Sequence, residues 1–262
     1  MPTRRTFLKH AAAGSLAAVA APAVRSVALQ PPGGAAPPIV GSGEHQYEAI
    51  HQWLRLPDKY SWQTTHNIAV DSQGLVYVIH EGRLDQPEHP AIFVFDADGA
   101  FVRAFGNQFQ GGGHGLDVHR EGSEEFLYVT AYKEKRSFAK LTLRGETVWH
   151  KSAPIEAGRY RAGEEALEHP GGEWLGRDRF LPTNFAFHPE GGFFLADGYG
   201  AYCVHRYDAD ANYVSTFGKP SDEAKADGTF DTPHGIWLDG RAKPQAVGAG
   251  PVEPQLVVTD RA

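Results

Sequence analysis

Three histidines and one asparagine recur in matching short motifs along this chain. His66 lies in T-T-H-N-I-A-V, His114 in G-H-G-L-D-V and His234 in T-P-H-G-I-W-L-D, while Asn184 takes the same place in P-T-N-F-A-F. Neutral imidazoles that converge on one point bind Zn²⁺ and can leave a coordination position for water or substrate. Such histidines can equally cap inner strands by hydrogen bonding to neighbouring sheets. The motifs alone leave both interpretations open.

A second set of polar residues follows predicted strands. Tyr199 lies in A-D-G-Y-G, Arg83 in H-E-G-R, and Asp260 and Arg261 end the motif V-V-T-D-R. A positioned phenol can exchange a proton with a reacting hydroxyl, and arginine can bind an anion. These residues are therefore candidates for acid–base chemistry beside the imidazoles.

The elements that must position these groups form a repeat. Each copy contains a short apolar strand, an acid–glycine turn and three further strands, and it closes on F-G in the copy at 180–218. The copies recur at intervals of roughly 50 to 70 residues, and four-stranded repeats of about this length are typical of propeller blades. The turns D-A-D-G at 96–99 and R-G-E at 144–146 favour hairpins between third and fourth strands. We therefore predict an all-β propeller of four-stranded blades, of which about four are present.

The predicted topology collects the candidate residues on one face. In an antiparallel blade, the start of the first strand and the end of the second lie at the same end of the sheet. The insertion 151–179 joins a fourth strand to the next first strand, so we expect it to cover the same face. A ligand site is expected at this mouth of the central channel.

The N-terminus has a different character. Thr3-Arg4-Arg5-Thr6-Phe7-Leu8-Lys9 and the alanine-rich run after it indicate a twin-arginine export signal over residues 1–28. The run is too short and too rich in alanine for a stable membrane span. Residues 29–45 are rich in Pro, Gly and Ala and are predicted to be a linker, so the propeller would occupy 46–262. The expected location is periplasmic or extracellular.

Composition excludes several classes of function. The formal net charge is −7, which does not suit nucleic-acid binding. The single cysteine, Cys203, allows no internal disulfide. The chain contains no G-x-S-x-G, phosphate-binding loop or dinucleotide motif.

The repeat resembles the NHL-repeat propellers, and the run D-G-Y-G-A-Y-C-V-H-R-Y-D-A-D-A-N-Y-V-S-T-F-G at 197–218 is its most specific part. Such propellers usually have six blades. Within this class, G-H-G-L-D-V, A-D-G-Y and T-P-H-G-I-W-L-D resemble the peptidyl-α-hydroxyglycine α-amidating lyases. Those enzymes cleave a carbinolamide to an amide and glyoxylate, with zinc held by three histidines. With about four blades, the chain looks incomplete, and we expect it to self-associate through an open strand edge.

The resemblance implies roles for individual residues. His114 and His234 would be zinc ligands, Tyr199 the catalytic phenol and Arg83 the catalytic arginine. The backbone carbonyl of Leu116 would contribute to a structural calcium site. His66, Asn184, Asp260 and Arg261 would line the channel.

The chain also departs from the lyase pattern. The third zinc histidine would come from a blade that these repeats do not include, and His66 is in the wrong blade to replace it symmetrically. The cysteine that follows D-G-Y in the family is Gly200 here, so the family's disulfide is absent. A metal-dependent lyase is therefore one hypothesis, and a non-catalytic propeller that binds a peptide, glycan or protein at the mouth is another. A lactonase-like hydrolase ranks last, because such a site needs channel carboxylates.

Other residues are expected to be structural. Glu164, Glu165 and Glu168 would form the solvated face of a short loop helix at 161–168, and the tryptophans Trp62, Trp149 and Trp237 would pack between blades. Most of the remaining histidines are predicted to be surface residues of loops or outer strands: His45, His51, His89, His150, His169, His188 and His205.

Overall fold

The computed structural model describes residues 37–169, 173–221, 226–241 and 254–261. The predicted signal peptide, 1–28, lies outside these ranges. The described residues form strands, turns and two short 3-10 segments, with no α-helix among them. None of them belongs to a helix long and apolar enough to span a membrane. The all-β prediction is thus confirmed for this part of the chain.

The described residues divide into two compact units, one within 1–51 and the other within 52–262. In the first unit, β1 (Ile39–Ser42) and β2 (His45–Glu48) form an antiparallel hairpin with exposed side chains. The hairpin begins within the segment that we predicted to be a linker. Its turn contains Gly43, whose φ of 60° lies in the left-handed region that glycine enters at low cost.

The second unit contains three antiparallel sheets of four strands each, and in each sheet the strands pair in chain order. The first sheet consists of β3 (Thr65–Val70), β4 (Val76–His80), β5 (Ile92–Phe95) and β6 (Phe101–Phe105). The second consists of β7 (Gly113–Glu121), β8 (Glu124–Ala131), β9 (Ser137–Thr142) and β10 (Thr147–Lys151). The third consists of β11 (Pro182–Phe187), β12 (Phe193–Asp197), β13 (Cys203–Tyr207) and β14 (Tyr213–Phe217).

Two further pairs of strands follow. The short strands β15 (Lys219–Pro220) and β16 (Thr229–Phe230) run parallel to each other. Then β17 (Pro233–Asp239) and β18 (Gln255–Asp260) form an antiparallel pair that corresponds to the first two strands of another repeat. The predicted hairpin turns at 96–99 and 144–146 connect β5 to β6 and β9 to β10, as the sequence indicated.

The core lies between successive sheets, which explains why the strands are apolar on both faces. One buried cluster joins side chains of the first and second sheets, including Ile79, Ile92 and Leu127. Another joins the second and third sheets, and here Phe138 and Phe193 are almost fully buried. Each sheet is therefore stabilised mainly by burial of apolar area against its neighbour.

The first strands of successive repeats lie side by side: β3 contacts β7, β7 contacts β11, and β11 contacts β17. Their backbones approach closely where the candidate residues lie. A Cβ on Gly115 would stand 2.1 Å from the carbonyl oxygen of Thr183, so only glycine fits there. This close approach brings residues from different repeats within hydrogen-bonding distance.

A β-bulge interrupts the start of every first strand. The register shifts between Thr65 and Asn67, between Gly113 and Leu116, between Pro182 and Phe185, and between Pro233 and Gly235. Each shift contains one of the four motif residues that the sequence aligned. Bulges re-aim side chains and often lie beside functional sites. Here they turn His66, His114, Asn184 and His234 away from the regular alternation of the strand.

Candidate functional site

The imidazoles of two histidines from different repeats, His114 and His234, both lie beside the hydroxyl of Tyr199. The Nε2 atom of His234 lies 2.7 Å from the Tyr199 hydroxyl oxygen, and the Nε2 atom of His114 lies 3.4 Å from it. The two imidazole centroids are 5.0 Å apart. Three residues that the sequence selected for chemistry therefore lie together in the structure.

The hydrogen bonds of His114 define its tautomer. Its Nδ1 atom lies 3.2 Å from the carbonyl oxygen of Thr183, and because a carbonyl only accepts, Nδ1 carries the proton. Nε2 therefore presents a lone pair toward Tyr199. Burial, with His66 and His234 nearby, lowers the pKa of His114 to about 3. A neutral imidazole held by a backbone carbonyl is the form that binds a metal ion.

The phenol and its second imidazole are half-buried. Burial lowers the pKa of His234, and the nearby Arg261 lowers it further. Burial raises the pKa of the Tyr199 phenol, whereas the guanidinium of Arg261 acts in the opposite direction. One guanidinium nitrogen of Arg261 lies 3.5 Å from the Tyr199 hydroxyl oxygen and can donate to it. The guanidinium of Arg261, which favours the phenolate form of Tyr199, therefore lies beside its hydroxyl.

Beside this trio lies a charged group to which the sequence analysis gave no role. The ring of His66 stacks on His114 with a centroid distance of 4.4 Å, and its Nε2 atom lies 3.6 Å from a Glu81 oxygen. Glu81 also accepts hydrogen bonds from the Tyr132 hydroxyl, at 2.7 Å, and from the Lys133 ammonium. Burial alone would raise the pKa of Glu81, but these bonds hold it below its usual value.

Lys133 has an unusual backbone conformation. Its φ is 52°, in the left-handed region, and for a residue other than glycine this costs about 1 kcal/mol or more. The conformation brings its ammonium over the rings of Tyr132, at 5.2 Å, and Trp174, at 5.6 Å. Strain of this kind is concentrated at functional sites, which supports a functional role for this group of residues.

Asn184 connects the repeats rather than facing a ligand. Its amide nitrogen donates to the backbone carbonyl of His234 at 2.8 Å, and its amide oxygen accepts from Asn67 at 2.8 Å. Both polar ends of the side chain are therefore used within the fold. Asn184 positions the backbone of a site residue at the place where the other repeats carry histidine.

Asp260 and Arg261 have separate roles at the end of β18. The Asp260 carboxylate accepts backbone hydrogen bonds from Asp231 and Thr232, at 3.0 and 2.7 Å, so it fixes the approach to β17. Arg261 is exposed, and its guanidinium also lies over the Tyr199 ring at 5.5 Å. Of these two residues, Arg261 contacts the candidate trio directly.

The remaining two predicted site residues lie elsewhere. The exposed Arg83 forms its ion pair with Asp85, at 2.9 Å between Nε and Oδ1. Leu116 lies on β7 opposite Val129 of β8, with its side chain buried. The catalytic role of Arg83 and calcium binding at the Leu116 carbonyl both stay predictions.

The turn that carries Tyr199 is held by one buried carboxylate. Asp197 accepts backbone hydrogen bonds from Leu181 at 3.0 Å, Gly200 at 2.9 Å and Ala201 at 2.9 Å. Burial raises the pKa of Asp197 to about 6, although these bonds favour the charged form. The D-G-Y-G motif therefore encodes a rigid turn that fixes the direction of Tyr199.

Gly200, which replaces the cysteine of the lyase pattern, occupies a closed position. A Cβ there would stand 1.9 Å from the carbonyl oxygen of Arg179 and 2.6 Å from the Asp197 carboxylate. In this fold the residue after Tyr199 therefore cannot carry a side chain without a backbone shift.

The insertion 151–179 contacts the site, as the topology predicted. Trp174 lies edge-on to Tyr132 with centroids 6.0 Å apart. Arg177 donates to the backbone carbonyls of Tyr199 and Gly200, at 3.2 and 2.7 Å. The described parts of the insertion therefore pack beside Tyr132 and bind the backbone of the turn that carries Tyr199.

The prediction for Glu164 is wrong, because the segment 161–168 forms turns and Glu164 is buried. Its carboxylate accepts from Arg179 at 2.8 Å and from the backbone of Phe180 at 3.0 Å, and Arg136 lies 3.2 Å away. Glu165 and Glu168 are exposed, as expected. Acidic residues this close together look alike in the sequence, and the contacts that distinguish Glu164 are with arginines from distant parts of the chain, Arg136 and Arg179.

His205 also differs from its prediction, because β13 buries it completely. It belongs to a cluster with Asp197 and Cys203 in which the potential ligand atoms lie within 4.8 Å of one another. The hydroxyl of Tyr160, from the insertion, lies 2.8 Å from Asp197 and also bonds to the Nε2 atom of His205. Thr216 engages Nδ1 at 2.7 Å. All these polar atoms are satisfied within the protein, so the cluster fits a structural network.

Zinc can be tested against the donor atoms that surround the Tyr199 hydroxyl. His114 and His234 are neutral and direct Nε2 atoms at the same hydroxyl, which fits two zinc ligands. Catalytic zinc usually has three protein ligands. Among the described residues, Asp197, Cys203 and His205 form a group of three metal-binding side chains whose ligand atoms lie within 4.8 Å of one another. None of the three is His114, His234 or Tyr199. The described residues therefore supply two of the three expected ligands.

Comparison with known proteins assigns no family. No family model matches the chain, and no curated protein matches it either. A protein of unknown function from Bacteroides thetaiotaomicron is 17% identical with a TM-score of 0.41, covering 66% of this chain and 42% of its own. Another, from Bacteroides caccae, is 11% identical with a TM-score of 0.33, covering 73% and 69%. The chain thus spans less than half the length of the first of these proteins.

The sequence placed four further residues on this face without giving any of them a role: Glu81, Tyr132, Lys133 and Trp174. Each follows a strand or lies in the insertion, and each has an ordinary residue type. The one signal in the sequence was position, because Glu81, Tyr132 and Lys133 follow the ends of second strands.

Proposed function

We propose that the sheets are blades of an exported NHL-type propeller and that its mouth catalyses a metal-assisted lyase reaction on an α-hydroxylated amide. The side-by-side first strands support the propeller, and the twin-arginine motif supports export to the periplasm or cell exterior. The observation that carries the activity is the convergence of the His114 and His234 Nε2 atoms on the Tyr199 hydroxyl.

In this proposal His114 and His234 would hold Zn²⁺. Bound zinc would act as a Lewis acid that lowers the pKa of a substrate hydroxyl. Tyr199 would take the hydroxyl proton, and Arg261 would favour its phenolate form. The substrate C–O bond then becomes a carbonyl, while the C–N bond breaks and its electron pair stays on the amide nitrogen. The proton that Tyr199 took would then pass to that nitrogen, which completes the amide and returns Tyr199 to its starting form.

The test uses the purified full-length chain, N-benzoyl-α-hydroxyglycine as substrate and glyoxylate release as the readout. We expect zinc by elemental analysis in the wild-type protein. His234→Ala and His114→Ala should each lose zinc and most of the activity. His45→Ala changes an exposed histidine in the other compact unit and should retain both.

Wild-type protein that contains no zinc after growth with added metal would contradict the metal centre. Full glyoxylate release by His234→Ala would contradict the lyase assignment. Both results are distinguishable from misfolding, because β-sheet circular dichroism and thermal unfolding report the fold separately.

A second candidate is a propeller that binds a ligand at this mouth without catalysis. The aromatic side chains of Tyr132, Trp174 and Tyr199 beside Lys133 favour this function, since such surfaces are frequent in binding sites. A protein without zinc and lyase activity whose ligand binding is weakened by Trp174→Ala would support it.

A further inference from the structure

A cavity outside the mouth lies between the second and third sheets and the insertion. Its volume is about 510 Å³, within the range that binds small molecules. Side chains from β9, β10, β13 and β14 and from the insertion line it, among them Phe138, Lys151, Pro154, Leu167, Tyr207 and Tyr213. The apolar members of this set offer a surface for a hydrocarbon or aromatic body.

Two lining residues, His150 and Tyr207, each have a buried polar side-chain atom with no hydrogen-bond partner among the described residues. Tyr207 is 2% exposed, stacks on Phe193 at 5.0 Å and lies 5.1 Å from Phe138 between ring centroids. Its hydroxyl has no hydrogen-bond partner among the described residues. Burial raises the pKa of this phenol well above its usual value, so it keeps its proton. A buried hydroxyl without a partner is destabilising, and an acceptor from outside the chain would satisfy it.

The charges around the cavity are predominantly acidic. Glu156 and Glu165 line it and are exposed to solvent. Two basic side chains line it. Lys151 donates its ammonium hydrogen bond to the backbone carbonyl of Ala211, and burial lowers the pKa of the His150 imidazole, which favours its neutral form. A cation that enters the cavity therefore meets two carboxylates and only one ammonium group, which is already bonded.

We propose that this cavity binds a small organic ammonium compound. The ammonium group lies toward Glu156 and Glu165, and the apolar body packs against Phe138 and Tyr213. An oxygen atom on that body accepts a hydrogen bond from the Tyr207 hydroxyl. The three requirements of this ligand are a positive charge, an apolar ring or chain, and an oxygen acceptor. The site is separate from the mouth, so this proposal does not rest on the lyase activity.

The test measures the affinity of the full-length chain for two probes by isothermal titration calorimetry. Tyramine has an ammonium group, an aromatic ring and a phenolic oxygen. 4-Hydroxyphenylacetate has the same ring and oxygen with a carboxylate in place of the ammonium. We expect saturable one-site binding of tyramine at millimolar concentration or better and no binding of the anion.

Two variants locate the binding site, and a third serves as control. Tyr207→Phe removes the hydroxyl without breaking a hydrogen bond within the described fold, so it should fold normally and weaken tyramine binding by about fivefold. Glu156→Gln should weaken it by about threefold. Glu190→Gln changes an exposed carboxylate in the turn between β11 and β12 and should leave the affinity unchanged.

Three results would overturn the proposal. They are no tyramine binding to the wild-type protein at millimolar concentration, equal binding of the anionic probe, and an unchanged affinity in Tyr207→Phe.

Discussion

Tyr199 was predicted to transfer a proton, and in the structure its hydroxyl lies beside the residues predicted to act with it. Its hydroxyl contacts His114, His234 and Arg261, whereas its ring packs against Tyr132 at 5.3 Å. Tyr199→Phe should therefore keep the packing and remove the proton-transfer group. We expect glyoxylate release to fall about 100-fold or more, with little change in the thermal unfolding midpoint.

The matched control for this variant is Tyr202→Phe. Tyr202 is a neighbouring tyrosine whose hydroxyl accepts a hydrogen bond from Arg177 outside the trio, at 2.7 Å. It should retain activity within a factor of about two to three. An active Tyr199→Phe protein would remove the phenol from the mechanism.

The burial of His114 predicts a pH dependence of stability. The pKa of His114 is about 3 in the folded protein, below its ordinary 6.5. Between these values the unfolded chain binds a proton that the folded chain does not bind. The free energy of unfolding therefore rises with pH through this window. The contribution of the neutral His114 to stability is fully present above pH 6.5 and is lost as the pH falls toward 3. The contribution of one such group is at most about 1.4 kcal/mol per pH unit.

Urea unfolding of the protein after metal removal with a chelator, between pH 4 and pH 7, measures this slope, and His114→Asn provides the comparison. The slope should be smaller in the variant by up to about 1.4 kcal/mol per pH unit. Asp197, whose pKa is raised from 3.8 to about 6, contributes in the opposite direction in both proteins and cancels in the difference. Identical slopes in the two proteins would show that folding does not lower the pKa of His114.

Whether the sequence identifies a site residue depends on whether a local motif or a contact between distant segments places that residue in the site. His114, Tyr199 and His234 lie in motifs whose position in the repeat determines their direction, so the sequence identifies them. Glu81 and Lys133 meet through the ends of two different sheets and a left-handed backbone at Lys133. That conformation is not encoded by a residue type, since lysine rarely adopts it.

Among the elements, the strands and hairpins were predictable and the bulges were not. The apolar runs and the turns at 96–99 and 144–146 mark local structure that the neighbouring residues largely determine. The register shift at each motif residue depends on how β3, β7, β11 and β17 approach one another. Such contacts between distant repeats leave no local pattern, so the direction of the site side chains required the structure.

The turn after β12 is the element on which the position of Tyr199 depends most directly. Asp197→Asn replaces one acceptor by an NH₂ group facing backbone donors from Leu181, Gly200 and Ala201. We expect a loss of about 2 to 3 kcal/mol in the free energy of unfolding, because buried N–H groups lose their partners. Activity should fall together with stability, as the turn releases Tyr199.

Asp208→Asn is the matched control for this prediction. Asp208 also accepts hydrogen bonds from its own turn, from the backbone of Asp210 and Asn212, but these bonds are exposed to solvent. Water can replace those bonds, so the loss should be about 0.5 kcal/mol. Equal losses for the two variants would mean that burial at Asp197 adds nothing to the turn.

The arrangement of the repeats leaves one strand in an unusual environment. The second strands β4, β8 and β12 are largely buried because a third strand pairs with each of them. β18 occupies the same position in its repeat but is mostly exposed, and within the described ranges it pairs with β17 alone. Trp237, which we expected to pack between blades, is 52% exposed opposite Val257, itself 43% exposed.

This edge predicts self-association of the chain. The strand Q-L-V-V-T-D has no lysine or proline to oppose pairing with another strand, and the exposed Trp237 and Val257 add apolar area. Sedimentation velocity should therefore show species larger than a monomer that increase with protein concentration. Val257→Lys should return the protein to a monomer, since a charge on an edge strand blocks pairing. Val148→Lys, at an equally exposed valine of β10, should leave association unchanged. A wild-type chain that sediments as a monomer at every concentration would contradict pairing through β18.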